Sequence, residues 1–256
     1  MKAILTTLIT ILVAVGSVTF FGFKSQANEA QYFRVWQGFK KPNLSNNRFL
    51  KKLPSFMKDT VALYNDRGLN NYMVVIPPND KPDYIPDEFA LVALTSEDAY
   101  ETIRNTEEGK KYGARHWDVF NKENSSSSKH FIDYQTDRPE NLNNNWTYDM
   151  IGTPIDWSKG YSLVYIGTRQ KQLSKEQFLD RLNKHIVLAK ETLKPLGMNA
   201  YIVLAHENYE VAYINWDSKE AHDAAFERED AKAVFEDAQT MLDPLMYQQL
   251  RPFVAG

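Results

Sequence analysis

The 256-residue sequence contains no cysteine. That absence excludes a thiol nucleophile, a disulfide framework, a cysteine zinc site and a cysteine-held iron–sulfur cluster. It also suits an oxidising compartment. Glycine and proline number only 11 each, too few for a collagen-like or low-complexity chain. Neither sign of charge dominates: 30 basic and 33 acidic residues leave a net charge of -3, so nucleic acid is not an expected partner. The sequence also lacks a P-loop, a dinucleotide-binding glycine fingerprint, a nucleophile elbow, an H-E-x-x-H pair and an EF-hand loop. Phosphate binding, serine hydrolysis, zinc proteolysis and calcium binding lose their usual signatures with them. What remains is 43% apolar, 25% charged and 13% aromatic, an ordinary globular balance. A chain of this length favours two small domains over one large one.

Long apolar runs are absent except at the start. Ile4–Phe23 carries no charge, with Lys2 before it and Lys24 after it. Ser25-Gln26-Ala27 then offers small residues around a cleavage point before Asn28. The pattern reads as a secretory signal, and its length also suits an uncleaved membrane anchor. Either way the rest of the chain is expected to be exported: periplasmic, secreted or anchored. Residues 1–27 are assigned to this segment.

The remainder repeats itself. Ser45, Phe49, Leu50 and Leu53 recur as Ser174, Phe178, Leu179 and Leu182, an offset of 129. Gly68, Asn70 and Tyr72 recur at the same offset as Gly197, Asn199 and Tyr201. Ser96 and Ala99 recur as Ser218 and Ala221 at offset 122, which puts extra residues of the first copy in the proline-rich stretch Pro77–Pro86. In each copy a strand (Tyr32–Gln37; Tyr161–Thr168) precedes a helical pattern ended by Gly68 or Gly197. A second strand (Tyr72–Ile76; Ala200–Ala205) and a third (Phe89–Leu94; Val211–Trp216) follow. A second helix starts near Ser96 or Asp217, and a short fourth strand closes each copy (His130–Gln135; Tyr247–Phe253). Pro54 predicts a kink or split in the first helix.

The order β-α-β-β-α-β, twice, is that of ferredoxin-like units. Tyr32, Arg34 and Trp36 share one face of the first strand, Phe33 and Val35 the other. Both faces are apolar or aromatic, so each sheet is expected to be covered on both sides. The string of elements, with Asn215-Trp216-Asp217-Ser218-Lys219-Glu220-Ala221-His222 and the looser Ala93–Tyr100 at the strand-to-helix turns, resembles the dimeric α/β-barrel superfamily, in particular its antibiotic-biosynthesis-monooxygenase-like branch. The resemblance implies an α+β fold of two ferredoxin-like units packed sheet to sheet as one intramolecular barrel: 28–135 and 161–256, with 136–160 as a linker pinned to the surface by Trp146 and Trp157. It is poorly specific for activity, because such folds host many.

The site candidates are Arg34, Trp36, His116 and Trp117, as ligand-binding residues; catalytic residues and metal ligands are not assigned. Arg34 alternates with two aromatics on one face, where a guanidinium needs an anionic or hydrogen-bonding partner. His116 lies where haem-degrading relatives of this fold carry an axial histidine. Those relatives also use an Asn on the first strand and a Trp where Thr102 and Ile103 stand here, and Tyr32–Gln37 has no Asn. His185 and His222 read as residues at the boundary between the polar and apolar faces of amphipathic helices, and His206 as a turn residue. The expectation is an exported protein that binds a small apolar or aromatic ligand, or simply assembles, without a cofactor. The alternative is a monooxygenase-type enzyme, cofactor-independent or haem-dependent. Homo-oligomers, and membrane contact only through the N-terminal segment, are compatible with both. Charge is uneven: residues 31–71 hold eight basic and two acidic side chains, residues 207–243 eleven acidic and three basic.

Overall fold

The structure is a computed structural model describing residues 32–131, 134, 138–152, 156–157, 159–243, 248–250 and 253–255; at 248–250 and 253–255 it describes the backbone alone. The N-terminal apolar segment, with its cleavage point, lies outside the described residues, as do parts of the connector and of the expected last strand.

The first half opens with β1 (Tyr32–Gly38), whose alternation sends Phe33 and Val35 to one face and Tyr32, Arg34 and Trp36 to the other. α1 (Asn46–Tyr64) is started by the Ser45 side chain, which accepts from the Arg48 N–H, and it buries Phe49, Leu53, Phe56, Thr60 and Tyr64. Of the kink or split expected at Pro54, the split does not occur: α1 runs through the proline. It lies on the exposed side, where water can reach the Leu50 carbonyl that Pro54 cannot bond. After a 3-10 turn, Gly68 takes φ +102°, a left-handed conformation that a Cβ would strain. β2 (Leu69–Val75), β3 (Glu88–Leu94), α2 (Glu97–Asn105) and α3 (Glu107–Val119) follow. The expected single second helix is therefore two, broken at Thr106, whose hydroxyl caps α3.

After short strands β4 (Ser126–Ser127), β5 (Lys129–His130) and β6 (Trp146–Asp149), the second half has the same order. β7 is Tyr161–Thr168, α4 Lys175–Leu193, β8 Met198–His206, β9 Tyr209–Trp216, α5 Lys219–Phe226 and α6 Glu229–Gln239. Ser174 and Gln177 form a capping box on α4, and Gly197 takes φ +104°. β8 and β9 are joined by Glu207-Asn208 alone, whereas β2 and β3 are joined by the long proline-rich loop. Geometry matches across the halves at the sequence offsets. Both second strands carry a register shift, at Leu69/Asn71 and Met198/Ala200. The bridge Lys40–Phe120 has its counterpart in Arg169–Leu242.

Two sheets result. The first has the order β11-β2-β3-β1-β4 and the second β10-β7-β9-β8-β6-β5, with β10 Gln248–Leu250 and β11 Phe253–Ala255. The closing strands depart from the expectation that each copy closes itself. β4 stays on β1, but β5 and β6 join the second sheet; β10 stays on β7, but β11 pairs with β2 of the first sheet. Each half thus lends a strand to the other, which covers an edge that would otherwise be open to association. The crossing at Ser128 is fixed by hydrogen bonds to both backbone groups of Val35, and the Ser128 hydroxyl lies 2.5 Å from that of Thr147.

The sheets face each other. Phe33, Val35, Phe89 and Leu91 from the first pack with Val164, Ile166, Ile202 and Tyr213 from the second in one buried cluster, and α1–α3 and α4–α6 cover the outer faces. The connector is not a surface linker. Trp146–Asp149 is a sheet strand and Trp157 is buried in the inter-sheet core, because the second sheet's edge and the barrel end both need covering. A polar link crosses the core: the Tyr209 hydroxyl donates to Gln37 Oε1 (2.5 Å), and Gln37 Nε2 donates to Asn145 Oδ1 (2.5 Å).

Candidate functional site

Three of the four candidates from the sequence meet in the helix layer of the first half. β1 presents Trp36 toward α3, where its ring centroid lies 4.9 Å from that of His116 and 6.2 Å from that of Trp117. Phe56 and Tyr112 close around His116 at 4.5 and 4.8 Å. Nδ1 of His116 donates to the Tyr112 carbonyl (3.2 Å). Burial pushes His116 down to about 4, so the imidazole is neutral near pH 7. Arg34, one strand step away, joins a different group: its guanidinium carbon sits 4.4 Å from the Tyr100 ring centroid. Its Nε and the Trp36 Nε1 are buried without hydrogen-bond partners among the described residues.

Glu88 is the ionisable residue that sequence reasoning passed over. It pairs with Gly38 across β3 and β1, is 1% exposed, and neither carboxyl oxygen has a hydrogen-bond partner among the described residues. Burial alone pushes it up to about 8, so at neutral pH it is held as the acid. A Cβ at Gly38 would meet the rings of Phe120 and Trp36, so only glycine lets those rings close over this strand end. Tyr72 points toward the same interior, but its hydroxyl is engaged by Thr60.

The second half repeats the arrangement with different partners. Glu210 faces Gly167 across β9 and β7, as Glu88 faces Gly38. It too is buried and its acidity is weakened by burial, but here Tyr201, the counterpart of Tyr72, hydrogen bonds to it and the charge of His185 opposes the shift. His185 is not a boundary residue. It is 6% exposed, and its Nδ1 lies 2.8 Å from Asp237 Oδ2 on α6, which orients the ring and lowers the aspartate's pKa. Glu210, Tyr201 and His185 line a cavity of about 30 Å³ whose remaining walls include Trp216, Phe226 and Phe235. That volume suits about two water molecules. The Trp216 Nε1 is buried with no hydrogen-bond partner among the described residues, leaving an unused donor on the wall.

His222 is also buried rather than at a boundary, edge-on to Trp216 (5.4 Å) and bonded to Asp223. His206 is at the end of β8 beside the turn, stacked on Tyr209 (4.1 Å) and pushed down to about 4 by burial. A signal for the two glutamates was present: Glu88 and Glu210 stand at the offset of 122, and Gly38 and Gly167 at 129.

Among the described residues no group of three or more His, Asp or Glu side chains is placed to hold a metal ion. Haem does not fit the geometry at His116. The rings of Trp36, Phe56, Tyr112 and Phe120 crowd the partly exposed imidazole within 4.5–6.1 Å, and the cavity across the molecule is far smaller than a porphyrin.

No family model matches the sequence, and no curated protein matches it. Solved structures do share its fold. A proposed monooxygenase from Fusobacterium nucleatum superposes with a TM-score of 0.50 at 10% identity, covering 89% of this chain and 93% of its own. A proposed monooxygenase from Lactobacillus acidophilus gives 0.43 at 11% identity, covering 88% and 94%. A proposed chlorite dismutase gives 0.41 at 11% identity, covering 87% and 94%. The Fusobacterium likeness shows the fold, an α+β architecture of two ferredoxin-like sheets.

Proposed function

We propose that the protein is a monooxygenase-type enzyme acting on a small aromatic or apolar substrate, with its site in the helix layer of the second half. One observation carries the reading. A buried carboxyl, Glu210, and an unpartnered indole N–H, on Trp216, line one cavity, with Tyr165, His185 and Tyr201 as its other polar side chains and aliphatic and aromatic groups for the rest. A carboxyl with a raised pKa is suited to taking a proton from an activated O–H or C–H near neutral pH. His185, held by Asp237 at the protein surface, supplies a polar route from that carboxyl outward. The substrate anion would then meet dioxygen in an apolar enclosure, while the Trp216 N–H steadies developing negative charge. The fold shared with the Fusobacterium protein supports the class. A substrate larger than two waters needs Phe226 on α5 and Phe235 on α6 to move aside.

The test is oxygen uptake by the full chain with a panel of activated phenols and quinols. Turnover that falls at least about a hundredfold in Glu210→Gln, with an unchanged far-ultraviolet spectrum, is expected for loss of a general base. No uptake with any substrate, or full uptake by the variant, overturns the reading.

A second reading is a non-catalytic binding or assembly module; the cavity's size, well below the roughly 300 Å³ of typical ligand sites, weighs against a small-molecule site there for either reading and leaves assembly untouched. In the binding case Arg34, Trp36, His116 and Trp117 would be ligand contacts, carried by the unused donors of Arg34 and Trp36. We also propose that the two halves, 28–135 and 161–256, are tandem copies of one unit, supported by the matching bulges, glycines and bridges. Export is supported by the Ile4–Phe23 run.

A further inference from the structure

α1 and α4 occupy equivalent places on opposite outer faces of the molecule, yet their solvent sides differ in charge. On α1, Arg48, Lys51, Lys52 and Lys58 are exposed and have no carboxylate partner among the described residues. Leu50 stands among them, 43% exposed, one of three large apolar side chains so exposed among the described residues. On α4 the charges alternate, and Lys184 is paired with Asp180. Isolated cations around an exposed leucine do not stabilise a helix in water; like charges three and four residues apart weaken it.

The tether fits. Eight residues, Lys24 to Gln31, separate the apolar run from Tyr32, a reach of at most about 28 Å. Tyr32 packs against Tyr64 at the end of α1, and α1, at 19 residues, is itself about 28 Å long. A bilayer holding the apolar run is therefore within range of the whole helix.

We propose that the outer face of α1 lies on an anionic lipid bilayer, with Arg48, Lys51, Lys52 and Lys58 at the headgroups and Leu50 entering the interface. The arrangement follows the physics of basic surface segments on anionic membranes. A second copy is a poorer occupant. The acidic face that could complement α1, on α5 and α6, is interleaved with its own cations in the pairs Lys219–Asp223, Arg228–Asp230 and Lys232–Glu229. The inference is independent of Glu210 and of the enzymatic reading.

The chain has no cysteine, so Leu50→Cys gives a unique labelling position, and Leu188→Cys on α4 a control on the opposite face. Full chain carrying an environment-sensitive fluorophore at either position is mixed with phosphatidylcholine vesicles, or with vesicles containing about one-third phosphatidylglycerol. The expected result is a blue shift and several-fold protection from an aqueous quencher at position 50 in the anionic vesicles. Position 188 should not respond. Protection should vanish in the Lys51→Glu/Lys52→Glu variant and in about 0.5 M salt, where screening cuts such attraction short. Protection in anionic vesicles without association to neutral ones sustains the proposal while refuting the anchor. Equal exposure of position 50 in both vesicles, or no association with either, overturns it. So does protection that grows with protein concentration in the absence of vesicles, which would mark a second copy as the occupant.

Discussion

The two helix layers are built on one plan and treat one residue in opposite ways. Each has a glutamate on its third strand, buried opposite a glycine of its first strand. In the second layer, Glu210 receives a hydrogen bond from Tyr201, and His185 and a small cavity stand beside it. In the first, the matching tyrosine is taken by Thr60, Phe56 stands where His185 would be, and Glu88 is left with no hydrogen bond among the described residues. Equivalent positions in a shared architecture therefore do not imply equivalent chemistry. The partner inventory decides whether a buried carboxyl is a reagent or a burden.

The sharpest way to break this comparison is the pH dependence of stability. Glu88 rises from an ordinary 4.5 to about 8 in the folded chain. A carboxyl raised on folding favours the folded state below its unfolded value, and the benefit is lost as pH climbs through the folded value. Between pH 5 and 8 the loss attributable to Glu88 should reach about 4 kcal/mol. Urea denaturation of the native chain and of Glu88→Gln across that range should show the native slope flattened by the substitution. Parallel slopes would mean that Glu88 finds a partner. Next in size is Gly38→Ala, whose new methyl meets the rigid rings of Phe120 and Trp36; a loss of about 2–3 kcal/mol is expected for overpacking. Gly167→Ala meets only the flexible Leu242 side chain and should cost about 1 kcal/mol less in the same assay.

Smaller effects separate the helix breaks. The Thr106 hydroxyl caps α3, whereas Arg228 gives α6 no side-chain cap. Thr106→Ala should lower stability by about 1 kcal/mol, and Arg228→Ala, at the position with no cap to lose, should leave the melting temperature nearly unchanged. The smallest is Asp237→Asn. Asp237 is 42% exposed, so losing its bond to His185 should cost below about 1 kcal/mol. The aspartate's pKa is lowered, so its contribution is present above its ordinary value and disappears as acid protonates it. The native chain and the variant should therefore converge in thermal melts as acid protonates the aspartate.

Much of the fold was legible because it is local. Periodicity, serine caps and terminal glycines marked both long helices and all six central strands within a few residues. The closing strands were legible only in part: Gln248–Leu250 lies within the expected Tyr247–Phe253 and stays on its own half, but two-residue strands such as Ser126–Ser127 carry no periodic signal, and the choice of sheet depends on long-range pairing. The split expected at Pro54 is absent because the proline occupies the exposed side of the helix, where water can serve the carbonyl it leaves unbonded. Trp36, His116 and Trp117 were found through their residue types and do meet in space. Glu88 and Glu210 escaped because a strand-end glutamate looks solvent-bound until Gly38 or Gly167 admits the groups that bury it.

The lent strands have a consequence for anyone wishing to take this protein apart. A cut in the connector after Asp149 would not release two self-sufficient pieces. The N-terminal fragment would keep β6 with no β8 to lie against, and the C-terminal fragment would carry β11 away from β2. Each severed piece would bear a sticky border and a loose ribbon made for the other, so co-expressed fragments should find one another and rebuild the whole.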